Sequence, residues 1–328
     1  MELSALDTTD AYETNFYQSD IFNISRERKI RSSMPSRHYH DAYEIFYLVS
    51  GKLSYFVGDK TYHLMSGMLL FINVNEIHKL VNSSGPVFER ITLQFKRAFI
   101  TDLLPKEGEF DVFSAFQADT NLLRLDGSDQ STVEGLFDRM VHESLSQPPG
   151  YAYYVTILLI ELLIYLKRKA DSSQHQHGAC PQQIHPKIIA IINFINENYS
   201  RRITLDSISR QFYISPSYLC KMFKDSTGFT LIEYVNNVRI KEARLLLRDT
   251  DAKMGDIAER VGFESLTHFG RIFKELTGCS PLKYHHISVR TGPERELLHP
   301  PSHLRPEPDY AKKPPLTIVK EAAFFGSA

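Results

Sequence analysis

Four side chains of the types that ligate metals stand in the N-terminal part of the chain. His38 and His40 are followed by Glu44 in the pattern H-x-H-x3-E, and His78 comes further along. Imidazole nitrogens combined with a carboxylate oxygen suit a divalent transition metal. On a β-strand, His38 and His40 would lie on the same face, as joint ligation requires. The same four residues also suit a hydrogen-bonded polar core, and we favour that interpretation and expect no bound cofactor.

A second chemical pattern is repeated in the C-terminal part of the chain. Leu205–Thr230 reads LDSISRQFYISPSYLCKMFKDSTGFT, and Met254–Tyr284 reads MGDIAERVGFESLTHFGRIFKELTGCSPLKY. Each copy has a short helical pattern, a tight turn and a second helical pattern that closes with F-K-x-x-T-G. Two helix-turn-helix patterns about fifty residues apart are typical of a protein that reads DNA with two helices. A helical bundle with inert outer faces is the alternative, and two copies in register argue against it.

The outward side of the second helix in each copy would meet the major groove of DNA. Arg271 suits a bidentate contact to guanine, and Thr267 suits a base edge or a thymine methyl group. Lys221 suits guanine or phosphate, whereas Lys224 and Lys274 suit phosphate or solvent. The predicted DNA-facing residues are Ser217, Cys220, Lys221 and Lys224 in the first copy, and Leu266, Thr267, His268, Gly270, Arg271 and Lys274 in the second.

Residues 187–290 resemble the DNA-binding domain of AraC-type transcriptional regulators. The most specific part is D-I-A-x-x-V-G-F-E-S at Asp256–Ser265, followed by F-x-R-x-F-K-x-x-T-G-x-S-P at Phe269–Pro281. Two positions depart from expectation: His285 stands where the family usually has Arg, and Gly270 weakens the second recognition helix. The resemblance implies a regulator whose partner is double-stranded DNA.

The histidine pattern, continued by Gly51, Gly67, His78 and Asn82, resembles the two-part motif of the cupin barrel. Many AraC-type proteins use this barrel as a sensor, so the resemblance implies a small-molecule effector in the barrel mouth. Aromatic rings beside polar groups would suit a carbohydrate, although the tyrosines are equally compatible with an ordinary barrel core. The predicted lining residues are His38, His40, Tyr43, Glu44, Tyr47, Tyr55 and His78.

The elements around these motifs predict an α+β protein with several domains. Short runs rich in β-branched and aromatic residues predict strands at Tyr43–Val49, Lys52–Val57, Met68–Asn73 and Phe88–Phe95. Helices are predicted at 130–147 and 151–169, and Leu231–Leu247 is predicted to join the two repeats. The second helix is apolar almost all round, which predicts burial in its own domain or against a second copy. The predicted domains are a cupin-like β-barrel with dimerisation helices at 1–170, a linker at 171–186, an all-α double helix-turn-helix domain at 187–290 and a Pro-rich disordered tail at 291–328.

Composition and charge limit the classes of function that the chain can have. Residues 1–184 carry 17 Lys and Arg against 23 Asp and Glu, whereas residues 185–290 carry 16 against 11. The positive excess thus falls on the segment that would need it against phosphate. The start MELSALDTTD lacks the pattern of a secretory signal, and Val155–Leu166 is too short to span a bilayer.

These patterns together predict a cytoplasmic, homodimeric, ligand-responsive transcriptional regulator that is not an enzyme. RNA polymerase would be a further partner if the protein is an activator. Two alternatives stay open: a metal-dependent cupin enzyme fused to a DNA-binding domain, and a regulator whose barrel is only a dimerisation scaffold.

Overall fold

Two domains are described by the computed structural model, an N-terminal sheet domain and a C-terminal helical domain. His38, the centre of the predicted linker and the predicted tail 291–328 lie outside the described residues. The described residues are 14–19, 21–30, 40–104, 110–118, 121–173 and 184–290.

The N-terminal domain is built on a seven-stranded antiparallel sheet in the order β1-β2-β6-β3-β5-β7. Strand β4 pairs with the second half of β3, while β5 pairs with its first half. The long strands β3 and β6 pair along nearly their whole length, so the sheet closes over an apolar interior. The strands are β1 (Thr14–Gln18), β2 (Phe22–Ile30), β3 (Tyr43–Val57), β4 (Lys60–Met65), β5 (Met68–Ile72), β6 (His78–Phe95) and β7 (Leu122–Arg124).

A bulge in β3 decides which side chains face the interior. Phe46 and Leu48 point inward before it, and Tyr55 and Val57 point inward after it, so the two-residue alternation changes phase between Leu48 and Leu53. Gly51 lies at this irregularity with φ of 100°, where a Cβ would come within 2.8 Å of Phe88 Cβ. Only glycine fits both the backbone angle and the close approach.

Two long helices pack on the outer face of the first half of the sheet. They are α2 (Gly127–Ser146), which starts with a capping box at Asp126, and α3 (Tyr151–Ser173). One side of α3 is buried in the same core as Ile45 and Ile91 of the sheet. Its other side exposes Tyr153 by 67 %. A short helix, α1 (Ala98–Thr101), and a 3₁₀ turn (Ser114–Gln117) complete this layer.

The C-terminal domain is entirely helical among its described residues and contains two helix-turn-helix units. The first unit is α5–α6 and the second is α8–α9, with α7 between them. The N-terminal half of α7 shares a core with the first unit, and its C-terminal half shares a core with the second. The helices are α4 (Pro186–Asn198), α5 (Leu205–Gln211), α6 (Pro216–Thr227), α7 (Leu231–Asp249), α8 (Met254–Arg260), α9 (Leu266–Thr277) and α10 (Pro281–Arg290).

The predicted α+β architecture is confirmed, with some differences in detail. The two runs predicted as separate strands at 43–49 and 52–57 are one continuous, bulged strand. Strands β1, β2 and β4 were not predicted because each carries polar residues that break the apolar pattern. Strand β7 was not predicted because it has only three residues. Helix α3 continues to Ser173, so the predicted linker begins inside this helix. No helix in the described ranges is long and apolar enough to cross a membrane.

Candidate DNA-reading surface and effector site

The first reading helix, α6, begins at Pro216 and buries Leu219 and Phe223. Ser215 occupies the N-cap position, but its side chain makes no capping hydrogen bond. The neighbouring Tyr218 is 57 % exposed on the same helix and was missed by sequence reasoning. Its counterpart in the repeat, His268, was included, and that correspondence was the available signal. The predicted positions Ser217, Cys220, Lys221 and Lys224 are all exposed.

The second reading helix, α9, has the more strongly amphipathic pattern and buries Phe269, Ile272 and Phe273. Ser265 caps this helix by accepting a hydrogen bond from the backbone N–H of His268 at 3.4 Å. Among the predicted positions, Leu266, Thr267, His268, Arg271 and Lys274 are exposed and Gly270 is half-buried.

Two positions of α9, Arg271 and Gly270, define what this surface offers to DNA. The Arg271 guanidinium lies 3.3 Å from Glu275 Oε2, and both side chains are well exposed, so this pair is weak and easily exchanged for a base or phosphate contact. A Cβ added at Gly270 would meet no atom within 4 Å. Packing within the protein therefore does not require glycine at this position.

The turns of the two units differ at one equivalent position. Gly262 precedes α9 with φ of 90°, and a Cβ there would come within 2.7 Å of the Tyr199 carbonyl oxygen. The first unit has Tyr213 at this position, with φ of 52° and a side chain that is 92 % exposed. A non-glycine residue in the left-handed region is strained unless its surroundings compensate.

The distance between the reading helices is set by α7. Its 19 residues span about 28 Å at 1.5 Å per residue. This length can hold two recognition helices about one turn of DNA, or ~34 Å, apart on one face of a duplex. Tyr234 anchors α7 to the first unit and Leu247 anchors it to the second. His285 contacts the end of α7, where its Nδ1 donates to the Leu247 carbonyl at 2.6 Å.

Three of the four predicted metal-type residues meet inside the barrel. Glu44 Oε2 lies 2.6 Å from His40 Nε2 and 3.7 Å from His78 Nε2. Both histidines direct Nδ1 at a backbone carbonyl, at 3.0 Å for His40 and 2.8 Å for His78. Because a carbonyl only accepts, Nδ1 carries the proton in each ring. At 2.6 Å, His40 Nε2 is the donor to the Glu44 carboxylate, whereas the Nε2 of a neutral His78 ring is an acceptor that faces Glu44.

Burial and mutual contact set the charges of this cluster. Burial alone would raise the pKa of Glu44, but the hydrogen bond from His40, the neighbouring His78 and the Gln94 amide lower it to about 2. Burial lowers the pKa of His78 to about 4, although Glu44 opposes this shift. At neutral pH the pair is therefore a carboxylate facing a neutral imidazole. Glu44 Oε2 already accepts hydrogen bonds from His40 and from the Gln94 amide at 2.8 Å, and the neutral His78 Nε2 faces it as a second acceptor 3.7 Å away.

The same geometry determines what the cluster can hold. The ligand atoms of His40, Glu44 and His78 lie within 4.8 Å of one another. Backbone carbonyls that fix the tautomer of both rings are an arrangement also found behind metal-binding histidines. These three residues could therefore hold a divalent transition metal ion, and they could equally accept hydroxyl groups of an organic ligand.

Next to the cluster lie three buried polar atoms without a hydrogen-bond partner among the described residues. They are the Tyr55 hydroxyl, the Arg90 Nη1 and the Thr92 hydroxyl. The Phe46 ring lies between two of these residues, because its centroid is 4.6 Å from the Tyr55 ring and 5.7 Å from the Arg90 guanidinium carbon. The Tyr55 ring in turn stacks on His78 at 6.2 Å.

Sequence reasoning missed Arg90, Thr92 and Gln94 because the motif search followed histidines and tyrosines. The register of β3 with β6 places Gln94 opposite Glu44 and Thr92 opposite Phe46, so their side chains share the inner face of the sheet. Alternation of polar residues within the predicted strand Phe88–Phe95 was the available signal.

Tyr43 and Tyr47 lie on the opposite face of β3 from Glu44. Both belong to the core beneath α2 and α3, and the Tyr47 hydroxyl donates to Glu134 Oε1 of α2 at 2.6 Å. The structure thus brings His40, Glu44, Tyr55 and His78 together and separates Tyr43 and Tyr47 from them. A shift of one position along a strand reverses the face, which explains the separation.

Comparison with known proteins agrees with this division. A family model described as AraC-like ligand binding domain matches residues 24–163, and a model described as Helix-turn-helix domain matches residues 208–286. The HTH-type transcriptional activator RhaS of Klebsiella pneumoniae (strain 342) is 22% identical over 278 residues, which cover 83% of this chain and 95% of that protein. RhaS of Escherichia coli O81 (strain ED1a) shows the same identity and coverage.

Solved structures that match this chain include both partial and nearly full-length matches. The C-terminal domain of the two-component response regulator yesN from Fusobacterium nucleatum is 36% identical, covers 29% of this chain and 94% of its own length, and has a TM-score of 0.29. ToxT from Vibrio cholerae, solved with an unsaturated fatty acid bound, is 17% identical, covers 82% of this chain and 96% of its own length, and has a TM-score of 0.37.

The two family models fall on the two halves of the architecture, one on the barrel with its helices and one on the paired reading units. The chain is therefore a member of the AraC family of transcriptional regulators, with a ligand-binding domain followed by a helix-turn-helix DNA-binding domain.

Proposed function

We propose that the effector of this regulator is a small polyhydroxylated molecule, such as a sugar or sugar derivative, held inside the barrel. The observation that carries the proposal is the set of unpartnered polar atoms on Tyr55, Arg90 and Thr92 beside the carboxylate of Glu44. An unmet buried polar group costs about 1–3 kcal/mol, so a ligand that pairs several of them gains affinity.

The hydrogen-bond donors and acceptors around this site favour a ligand with several hydroxyl groups. Arg90 Nη1 can only donate, whereas Glu44 and the Nε2 of His78 can only accept. A hydroxyl group both donates and accepts, so a molecule with several of them can serve both sides at once. The rings of Phe46 and Tyr55 supply the apolar face on which a sugar ring stacks.

A thermal-shift screen tests the effector class. The full chain is heated with monosaccharides, sugar alcohols and sugar acids, and with amino acids and aliphatic acids as the comparison panel. A ligand at about 100 times its dissociation constant stabilises the protein by about 2.7 kcal/mol. Thr92→Val should remove an unpaired hydroxyl, leave the unliganded protein at least as stable, and reduce the shift. A response confined to the comparison panel would contradict the proposal.

The dimer is proposed to form through the outer face of α3. Tyr153, Tyr154 and Ile157 are exposed by 67%, 40% and 53% on neighbouring turns, which is an unusual apolar stripe for a solvent-facing surface. We expect Ile157→Asp to lower the molar mass measured by light scattering from that of a dimer to that of a monomer. Met65→Asp, at an apolar residue that is 42% exposed in the barrel, is the matched control and should leave the mass unchanged.

Transcription activation in the cytoplasm, with RNA polymerase as partner, completes the proposed function. The relatives named as transcriptional activators support this direction.

Sequence discrimination is expected to depend on Arg271 more than on Cys220, because only the guanidinium can bind guanine bidentately. Fluorescence anisotropy with specific and shuffled duplexes tests this. Arg271→Ala should weaken specific binding more than random binding, and equal losses on both would contradict a base-reading role.

Metal-dependent catalysis is the competing function, favoured by the convergence of His40, Glu44 and His78. Metal analysis of protein purified without chelators, beside His40→Ala, separates the two functions. Stoichiometric metal in the parent and its loss in the variant would favour the enzyme. Substoichiometric metal in both favours the regulator with an organic effector.

A further inference from the structure

The two reading units are joined by more than the helix that runs between them. The loop between α4 and α5, residues 199–202, belongs to the first unit, and the turn at residues 262–264 leads into the reading helix of the second. These two segments meet beside Arg239, which lies near the middle of α7. We define the inter-unit joint as residues 199–202, Arg239 and residues 262–264.

Arg239 holds the loop of the first unit by its backbone. Its Nε donates to the Tyr199 carbonyl at 2.9 Å, and its Nη2 donates to the Arg201 carbonyl at 2.8 Å. Two such bonds from one guanidinium fix direction as well as distance, because its fork of donors is planar and rigid. The guanidinium carbon also lies 5.5 Å from the centroid of the Phe263 ring, which is buried in the core of the second unit. One side chain thus contacts both units.

Close packing between the loop and the turn completes the joint. Among the described residues, Tyr199 is the only hydrophobic side chain that packs against the cores of both units. A Cβ at Gly262 would come within 2.7 Å of the Tyr199 carbonyl oxygen and within 2.8 Å of the Ser200 carbonyl oxygen, so the two backbones are nearly in contact. Arg202 and Glu264 add an ion pair at 3.6 Å, but both are well exposed and the pair contributes little.

The joint lies at the point where α7 passes from one core to the other. Val238 belongs to the core of the first unit and Ile240 to the core of the second, so Arg239 marks the boundary. Bending or twisting of α7 at this boundary would change the angle between the units while leaving each core intact. The joint spans the boundary and opposes that change. The equivalent turn of the first unit makes no such contact, because Tyr213 at the position of Gly262 is exposed.

We propose that Arg239 is a positioning residue for DNA recognition, and that the inter-unit joint makes the chain selective for one spacing between the two DNA segments that its reading helices contact. Both helices must enter grooves on one face of the duplex. One extra base pair between the segments moves the second by about 3.4 Å and turns it by about 34–36° around the DNA axis. Units held by the joint cannot follow that rotation, whereas units connected by α7 alone can follow part of it.

Arg239→Lys separates the geometry of the guanidinium from its charge. Lysine keeps the positive charge, so the general attraction of the domain to phosphate is unchanged, but an ammonium cannot hold the two carbonyls in a fixed planar arrangement. Arg248→Lys is the matched control. Arg248 lies near the end of α7, outside the joint, where it pairs with the neighbouring Asp249.

The measurement is the ratio of two dissociation constants of the full chain at one salt concentration. One duplex is selected by the wild-type chain from a random pool, and the other has an extra base pair midway between the two segments that the wild-type chain protects from cleavage. A variant that is merely less stable binds both duplexes less well and keeps the same ratio. We expect a ratio of at least about tenfold for wild type and Arg248→Lys, as misplaced base contacts cost this much, and about threefold or less for Arg239→Lys. An undiminished ratio in Arg239→Lys, or no preference for spacing in wild type, would overturn the proposal.

A measurement without DNA tests the same joint. One nitroxide is attached to the exposed Cys220 on α6 and another at Lys274→Cys on α9, with the other two cysteines replaced by serine. Double electron–electron resonance, with labelled chain diluted in unlabelled chain, then gives the distances between the reading helices of one protomer. We expect a narrow distribution in the parent and a broader one both with Arg239→Lys and with Tyr199→Leu, which removes the ring that packs on both cores. Distributions of equal width would refute a positioning role.

Discussion

Replacing Tyr213 by glycine should stabilise the first reading unit. Tyr213 holds φ at 52°, which costs a residue with a Cβ about 1–2 kcal/mol. Glycine avoids this cost but loses more freedom on folding, about 0.5–1 kcal/mol. Because the tyrosine ring is 92% exposed, its removal sacrifices almost no buried area. The expected balance is a gain of about 0.5–1 kcal/mol in the stability of the unit.

Native-state hydrogen exchange on the full chain measures this gain locally, at the amides of α5 and α6. A gain of about 1 kcal/mol slows, by about fivefold, the exchange of amides that are exposed only when the first reading unit opens. Tyr213→Ala is the control, because it removes the ring and keeps a Cβ in the strained conformation, and it should not slow exchange. Faster exchange in Tyr213→Gly, or equal slowing in both variants, would refute the strain argument.

Three further substitutions have expected outcomes. Gly262→Ala, at the equivalent turn of the second unit, should destabilise that unit by about 2 kcal/mol or more, because the Cβ meets the Tyr199 carbonyl oxygen at 2.7 Å; a lower urea midpoint checks this. Gly270→Ala should slow hydrogen exchange in α9, with a gain of about 0.5–1 kcal/mol, because the added methyl meets no atom. Tyr47→Phe should lower the thermal midpoint by breaking the 2.6 Å bond to Glu134, a loss of about 1.5–3 kcal/mol, and an unchanged midpoint would show that this bond is not stabilising.

The reading units could be predicted closely from the sequence because their signals are local. The apolar spacing of Leu219 and Phe223, or of Phe269 and Phe273, follows from the period of a helix and does not depend on distant residues. The repeat then fixed which positions face outward. What stayed hidden was the strain at Tyr213, since a backbone angle leaves no mark on a hydrophobic pattern.

The effector site was predicted only in part because its members depend on strand pairing. Glu44 and His78 were found through a motif, but the side chains opposite them on β6, Thr92 and Gln94, follow from register. Register is decided by contacts between residues about fifty positions apart, which no local window contains. The packing of Phe56 and Ile77 of the barrel against α4, α6 and α7 depends on still longer separations, and no motif indicates it.

The apolar core that Phe56 and Ile77 of the barrel share with α4, α6 and α7 also has a consequence for synthesis of the chain. Phe56 and Ile77 leave the ribosome long before Tyr234, and at about 5–20 residues per second the delay is roughly 10–30 s. During that time the nascent barrel presents an apolar patch whose natural cover has not yet been made. A barrel fragment truncated before α4 leaves Phe56 and Ile77 without their cover, so the sensor of this regulator is best studied together with the helices that pack on it.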